Sequence, residues 1–334
     1  MATIYEVAEL AKVSLATVSR VINGNVKVSP KTLEKVKAAM NELGYRPNSI
    51  AQSLASNRTN RVGVLVSELS GPFFSNMLSI VEQELRAAGK HAIIAAGHSD
   101  ENSEKEGIEF LLSCRCDALI LHIDCVSDEY LLDLHKQDVP FSIINHKIDA
   151  LSDCCFSVDN EMGGYLAAKA VLAAGHRKIA YISGPSFKED AQLRLAGHKR
   201  ALAEFNVEFQ EDLHCTGNYQ EEGGKQALHT IYKQNPDFTA VVCANDEMAV
   251  GAMFSARELG FSLPESLSIA GFDDLIFARY TYPTLATVHN PISDMGSMAA
   301  KWILREVYNQ NISGELINVF SPEFVMRRSL NRIS

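Results

Sequence analysis

Apolar residues recur along this chain in two rhythms, one helical and one of short apolar runs. At the amino end the period is helical: Ile4, Val7, Ala8 and Ala11 fall at the i, i+3, i+4, i+7 spacing of a buried stripe. Lys12-Val13-Ser14 interrupts it as a turn, and Ser14 is placed to cap a second helix through the free N–H groups of its first turn. A step of 100° per residue puts Thr17, Val18, Val21 and Ile22 on one side of that helix, and Leu15, Ala16, Ser19, Arg20 and Asn23 on the other. Ser29-Pro30 then supplies the cap and first residue of a third helix, whose stripe is Leu33, Val36, Met40 and Leu43. Three short helices joined in this way predict a helix-turn-helix, with the outer face of the second helix free to enter a major groove.

From Arg61 onward the rhythm changes. Arg61–Val66, His91–Ala95, Ala118–Leu121 and Phe141–Ile144 are short apolar runs that read as buried parallel strands, with amphipathic segments around 74–88, 103–113 and 128–135 between them. A second series begins near Val158, with strands expected at 178–182, 212–216, 240–243 and 268–271 and helices near 161–174, 194–205, 220–234 and 246–259. Alternation of this kind predicts doubly wound parallel sheets. Two series in tandem predict two similar α/β lobes with a cleft between them.

Between the two regions stands Gly44-Tyr45-Arg46-Pro47-Asn48, where Pro47 biases Arg46 away from helix. The eight residues Ser49–Ser56 have helical composition but are too few to be stable alone, which predicts a hinge that folds only with support. The run TVSRVIN, the later ELGYRPN and the Ala and Ser-Leu positions after it resemble the LacI/GalR family of bacterial transcription repressors, and the resemblance extends through nearly the whole chain. It implies a helix-turn-helix domain over 1–46, a hinge helix and linker over 47–60, and an effector-binding and dimerisation body over 61–334. The body would resemble periplasmic sugar-binding proteins: lobe 1 about 61–158 and 291–319, lobe 2 about 159–290 and 320–334, with the late segment crossing back to the first lobe. It also implies that Thr17 joins Leu15, Ala16, Ser19, Arg20 and Asn23 on DNA, that Leu54 is an apolar wedge in the minor groove, and that Ala51 and Ala55 let two hinge helices approach.

Charge sharpens this division. The net charge of −10 argues against nucleic acid until it is split: residues 1–61 hold nine Lys and Arg against four Asp and Glu, a balance of +5, which leaves −15 for the rest. A basic head on an acidic body suits a phosphate-seeking domain attached to a sensor. Glu6 and Glu9 interrupt any apolar signal segment, and no run reaches the length of a membrane span, so a cytoplasmic protein is expected. Seven cysteines without paired spacing are expected to be reduced, mostly buried thiols rather than disulfides or a zinc site.

Ligands of open α/β sheets bind beyond the carboxyl ends of the strands. The residues standing there include Ser67, Phe73 and Phe74 after the first strand, Asn145 and His146 after the fourth, then Asp159, Asp190, Arg194, Tyr219, Asn245, Asp246 and Asp273-Asp274. Planar amides, carboxylates and one guanidinium can grip adjacent hydroxyls, while aromatic faces cover the C–H side of a pyranose. The candidate effector contacts are Phe73, Phe74, Asn145, Asp190, Arg194, Tyr219, Asn245 and Asp273, with one of the two phenylalanines facing the cleft. Asn245 and Asp246 have a second reading as caps of the helix that follows. The resemblance assigns effector contact to Arg194, ahead of Leu195-Ala196-Gly197, and to Asp273, after Gly271-Phe272; Asp273 is then expected to be the bidentate acceptor for Arg194 and for sugar hydroxyls.

Around 115–122, 127–129, 144–145 and 189–191 the chain is more similar to the galactose-responsive members of the family than to the purine-responsive ones. Galactose or a related hexose or glycoside is therefore the expected effector, with no cofactor and no metal. The expected DNA partner is a palindromic double-stranded operator, read by a homodimer because one recognition helix covers too few base pairs. The chain ends at Ser334 without a leucine-rich tail, so no higher assembly is expected. A purine-responsive repressor and a cytosolic sugar-binding protein are the alternatives. An enzyme is disfavoured, since no G-x-G-x-x-G, Walker loop, H-E-x-x-H or G-x-S-x-G is present.

Overall fold

The computed structural model of the chain describes residues 2–22, 28–46 and 58–333. Asn23, Ala51, Leu54, Ala55 and the hinge segment 49–56 lie outside the described residues. The chain divides into two compact units, Met1–Asn60 and Arg61–Ser334.

In the first unit, helix α1 (Ile4–Ala11) opens on a reciprocal cap. The Thr3 hydroxyl accepts the Glu6 N–H, and the Glu6 carboxylate takes the Thr3 N–H at 2.6 Å. Lys12 ends it in the left-handed region, φ 53°, which turns the chain sharply. Ser14 Oγ accepts the Thr17 N–H at 3.2 Å and so starts α2 (Leu15–Ile22), as its position predicts. Ser29 does the same for α3 (Pro30–Glu42), with Pro30 at its first position. Val7, Ala11, Val18, Val36 and Ala39 form the core, each at most 6% exposed. Burying one such side chain is worth roughly 1.5–3 kcal/mol for the larger ones.

The second unit holds two six-stranded sheets. In lobe 1 these are β1 (Arg61–Val66), β2 (His91–Ala96), β3 (Ala118–Leu121), β4 (Phe141–Ile144), β5 (Cys155–Val158) and the late strand β11 (Val319–Phe320), in the order β11-β5-β4-β3-β1-β2. Helices α4 (Pro72–Ala87) and α11 (Ile292–Glu306) cover one face, and α5 (Glu101–Ser113) and α6 (Asp128–Lys136) the other. In lobe 2 the strands are β6 (Ile179–Ser183), β7 (His214–Thr216), β8 (Ala240–Cys243), β9 (Ser268–Asp273), β10 (Ala286–His289) and the antiparallel edge β12 (Glu323–Val325), in the order β12-β10-β9-β8-β6-β7. The helices of that lobe are α7 (Asn160–Ala173), α8 (Glu189–Glu204), α9 (Glu221–Gln234) and α10 (Asp246–Glu258).

Several elements depart from the sequence reading. The strand expected at 212–216 begins two residues later, at His214, because Glu211–Leu213 make a tight 3-10 turn before it. Helix α8 begins five residues ahead of its expected start. Its buried face includes Ala191, Arg194 and His198, so an apolar stripe alone cannot locate its beginning. Strands β5, β10, β11 and β12 and helix α11 were not resolved by periodicity at all; β11 carries the late segment back beside β5, at Val319–Ser157 and Phe320–Val158. All seven cysteines are free thiols. Among the described residues no helix is long and apolar enough to cross a membrane.

Candidate functional site

On α2, Leu15, Ala16 and Arg20 are exposed while Val18 is fully buried, so the helix presents one face outward. Ser19 is half-buried at the edge of that face. Thr17 is half-buried too, with its hydroxyl 2.8 Å from Ser14 Oγ, and serves the cap of the helix. An exposed guanidinium beside small or apolar residues can present a fork to guanine O6 and N7 while the neighbours approach thymine methyls.

The second site is a cleft of about 540 Å³ between the two lobes. All eight candidate effector contacts line it. Phe73 and Phe74 come from the first turn of α4 and both line the cleft, where a single ring was expected; they meet edge to face at 5.1 Å. Asn145 follows β4 with φ 62°, and Tyr219 and Asp273 are also held at positive φ, 67° and 112°. Strained, non-glycine backbone at strand ends costs about 1–3 kcal/mol per residue and persists only where the surroundings enforce it.

Arg194 is the buried centre of the lobe 2 wall, 3% exposed. Gly164 and Gly197 bring it there: a Cβ on either would lie within 2.1 Å of backbone on the opposite helix, so α7 and α8 touch. Arg194 Nε donates to Asn160 Oδ1 at 2.9 Å and Nη1 to the Ala244 carbonyl at 2.7 Å, with the guanidinium 3.8 Å over the Phe272 ring. Asn160 Nδ2 in turn donates to Asn145 Oδ1 at 3.3 Å, linking the two lobes. Asp190 lies 3.4 Å and Asp273 3.8 Å from the guanidinium.

The expectation that Asp273 is a bidentate acceptor for Arg194 is therefore corrected. Asp273 makes one long contact to Arg194 and takes its hydrogen bond from Asn290 Nδ2 at 3.0 Å, while Arg194 turns Nε to Asn160 and Nη1 to the Ala244 carbonyl. Burial pushes the Asp273 carboxyl up to about 7 against the opposing pull of Arg194. The two readings of Asn245 and Asp246 also resolve. Asn245 lines the cleft yet spends both amide atoms, accepting the Met248 N–H as cap of α10 and donating to the Tyr219 carbonyl at 2.8 Å. Asp246 is fully buried and ties down Leu275 and Thr287 instead.

Two ion pairs cross the cleft from adjacent residues of lobe 2. Lys188 Nζ reaches Asp124 Oδ2 at 2.8 Å, and Glu189 takes His146 Nδ1 at 2.7 Å, while His146 Nε2 lies 2.7 Å from Asp128. Burial alone would raise the Asp124 carboxyl, but the Lys188 ammonium and the hydrogen bonds from Lys188 and Ser67 oppose it, and the carboxyl sits below the usual carboxylate range. His146 is thus spent on the bridge. Asp124, Ser99, His122, Lys188 and Glu247 also line the cleft, beyond the residues the sequence nominates. The strand-end rule applied to the second and third strands would have found Ser99, His122 and Asp124; nothing local marks Glu247. Among the described residues no cluster of three or more His, Cys, Asp or Glu is arranged to hold a metal.

Residues 3–48 match the family described as bacterial regulatory proteins, lacI family, and residues 168–330 match the periplasmic binding protein-like domain. The chain is 39% identical over 331 residues to the HTH-type transcriptional regulator GalR of Escherichia coli, covering 99% of this chain and 96% of that protein. Among solved structures it is similar to the lac repressor dimer bound to operator and the anti-inducer ONPF, with TM-score 0.86, 28% identity and 99% of each chain covered. It is also similar to the transcriptional regulator CelR–cellobiose complex, with TM-score 0.72, 30% identity and 98% of this chain and 100% of that one covered.

Proposed function

The chain belongs to the lacI family of bacterial regulatory proteins, and from that footing we propose that it is a transcriptional repressor whose DNA affinity is set by a neutral hexose, galactose or a close glycoside, in the interlobe cleft. The observation that carries the effector reading is the cleft wall. One buried guanidinium and several carboxylates and amides share the cleft with a pair of phenylalanine rings, in a space large enough for a pyranose. The cationic groups Lys188 and Arg194 are already matched by Asp124, Asp190 and Asp273, while Glu68, Glu221, Glu222 and Glu247 add negative charge. A phosphorylated sugar would meet repulsion there. We assign no catalytic step to the cleft, and the protein works in the cytoplasm, on double-stranded operator DNA.

Two copies are needed because one α2 reads a single half-site; a two-fold partner reads the other half of a palindrome. A sugar alters repression only if it binds one lobe arrangement better than another. Its contacts on Phe73 and Phe74 in lobe 1 and on Arg194 in lobe 2 would fix the angle between the lobes, and so the separation of the two β1 strands in the dimer.

Isothermal titration of the full chain with D-galactose, methyl β-galactoside, glucose, galactose 1-phosphate and adenine tests the effector. Saturable binding of galactose, with a shift in operator affinity on the same concentration scale, is the expected result. Binding of adenine alone, or of the phosphate ester above the free sugar, would replace this reading.

A further inference from the structure

Ser67 follows β1, and His122 and Asp124 follow β3, all three on lobe 1. Ser67 Oγ donates to Asp124 Oδ2 at 2.5 Å and lies 3.2 Å from His122 Nδ1. The same Asp124 oxygen accepts from Ser99 Oγ at 2.6 Å and from Lys188 Nζ at 2.8 Å. An ionised carboxylate has no hydrogen to give, so the one hydroxyl hydrogen of Ser67 is committed to it. The Ser67 oxygen can then only accept from His122, which fixes the imidazole proton on Nδ1. The ring is 4% exposed, and burial holds it below the ordinary imidazole range, so it is neutral. Its other nitrogen, Nε2, is left as a bare acceptor with no hydrogen-bond partner.

His122 lines the cleft, and its ring stands edge-on to Phe73 and Phe74 at 6.1 and 5.2 Å. We propose that His122 is a specificity-determining acceptor: Asp124, through Ser67, locks it in the Nδ1–H form, so that Nε2 selects a ligand bearing a hydroxyl or N–H donor at that point and rejects one bearing only acceptors. A buried acceptor without a partner is costly, and a ligand that supplies the donor relieves that cost. A ligand offering a carbonyl, ether or fluorine there sets one lone pair against another, and a site built for a hydrogen bond discriminates strongly against the analogue that lacks it. Lys188 reaches Asp124 from lobe 2, so the ammonium end of the relay is in place only when the lobes hold this arrangement. The proposal rests on the hexose reading for the ligand's identity alone; the tautomer is a property of the free protein.

Two measurements on the full-length protein decide it. In nitrogen-15 histidine spectra, with the His122 signals assigned by their loss in His122→Gln, Nδ1 is expected in the protonated, pyrrole-like range and Nε2 in the bare, pyridine-like range. Ser67→Ala is expected to release the other tautomer. A protonated Nε2 in the wild type overturns the assignment. Titration with D-galactose and each of its single deoxyfluoro derivatives is expected to find one hydroxyl whose replacement by fluorine weakens wild-type binding about tenfold or more. That penalty is expected to shrink to about twofold or less in both His122→Phe and Ser67→Ala. Equal penalties in wild type and both variants at every position overturn the selection. Failure of galactose to bind at all defeats the hexose reading, and the tautomer spectrum then decides on His122 by itself.

Discussion

In the amino-terminal unit the candidate contacts Leu15, Ala16, Ser19 and Arg20 lie within one eight-residue helix. The cleft instead draws Phe73, Asn145, Arg194, Tyr219 and Asp273 from separate helices, loops and a strand end on two lobes. The difference appears in burial too: Arg20 is exposed, whereas Arg194 is 3% exposed and hydrogen-bonds Asn160 and the Ala244 carbonyl. A guanidinium held in reserve for an external partner can be removed at the cost of that partner alone. One embedded in a wall is also structure, and its removal strands the groups around it. The two arginines are therefore expected to fail in different ways.

The largest expected effect is at Arg194. Arg194→Ala leaves Asp190 and Asp273 without their shared cation inside the body and is expected to cost about 3–5 kcal/mol of stability, together with sugar binding. Urea unfolding of the variant checks it; a midpoint within error of wild type would mean that the guanidinium is not structural. Arg20→Ala is expected to leave stability and sugar affinity unchanged and to weaken operator binding by about 1–3 kcal/mol per half-site. The comparison to make is between operator and random DNA at fixed salt. Equal losses on both would reduce Arg20 to a phosphate contact and erase the contrast with Arg194.

Asp273→Ala is expected to cost about 2 kcal/mol in sugar affinity while operator binding without ligand stays near wild type. Because Asp273 bonds Asn290 rather than gripping Arg194, Asn290→Ala should reproduce part of that loss by calorimetry, which a bidentate Arg194–Asp273 pair would not predict. The smallest effect is at the interlobe bridge. Burial lowers the His146 pKa, but Asp128 and Glu189 outweigh it and raise the value above the ordinary 6.5. The bridge therefore contributes fully below pH 6.5 and its contribution is lost as pH rises through the higher folded value. Both carboxylates are about half exposed, so screening limits the gain to about 1 kcal/mol or less. The melting temperature of wild type relative to His146→Gln is expected to fall as the pH is raised, and a difference independent of pH would remove the bridge as its source.

The helix-turn-helix was legible because its contacts are local. The i, i+3, i+4 stripe of α1, the Ser14 and Ser29 caps and the outward face of α2 all follow from helical geometry acting on neighbouring residues. The strand-end rule reached the cleft's eight candidates too, since parallel sheets place their loops on one edge whatever the lobes do later. Its limits lay where polar residues replace apolar ones in buried positions. Arg194 and His198 on the inner face of α8 hid the start of that helix, and Thr287 in the fully buried part of β10 weakened the apolar run there.

What the sequence determined by itself was the order of elements, the basic head on an acidic body, and the residue types offered to each site. The tertiary structure alone decided which donor meets which acceptor across the cleft. Asp124 and Lys188 are 64 residues apart and become partners only because two lobes close on each other. Ser67 and His122 are 55 apart and share a proton arrangement only because β1 and β3 lie side by side. Hydrogen bonds act over about 3 Å, and no local spacing in a chain encodes a distance that short between residues so far apart.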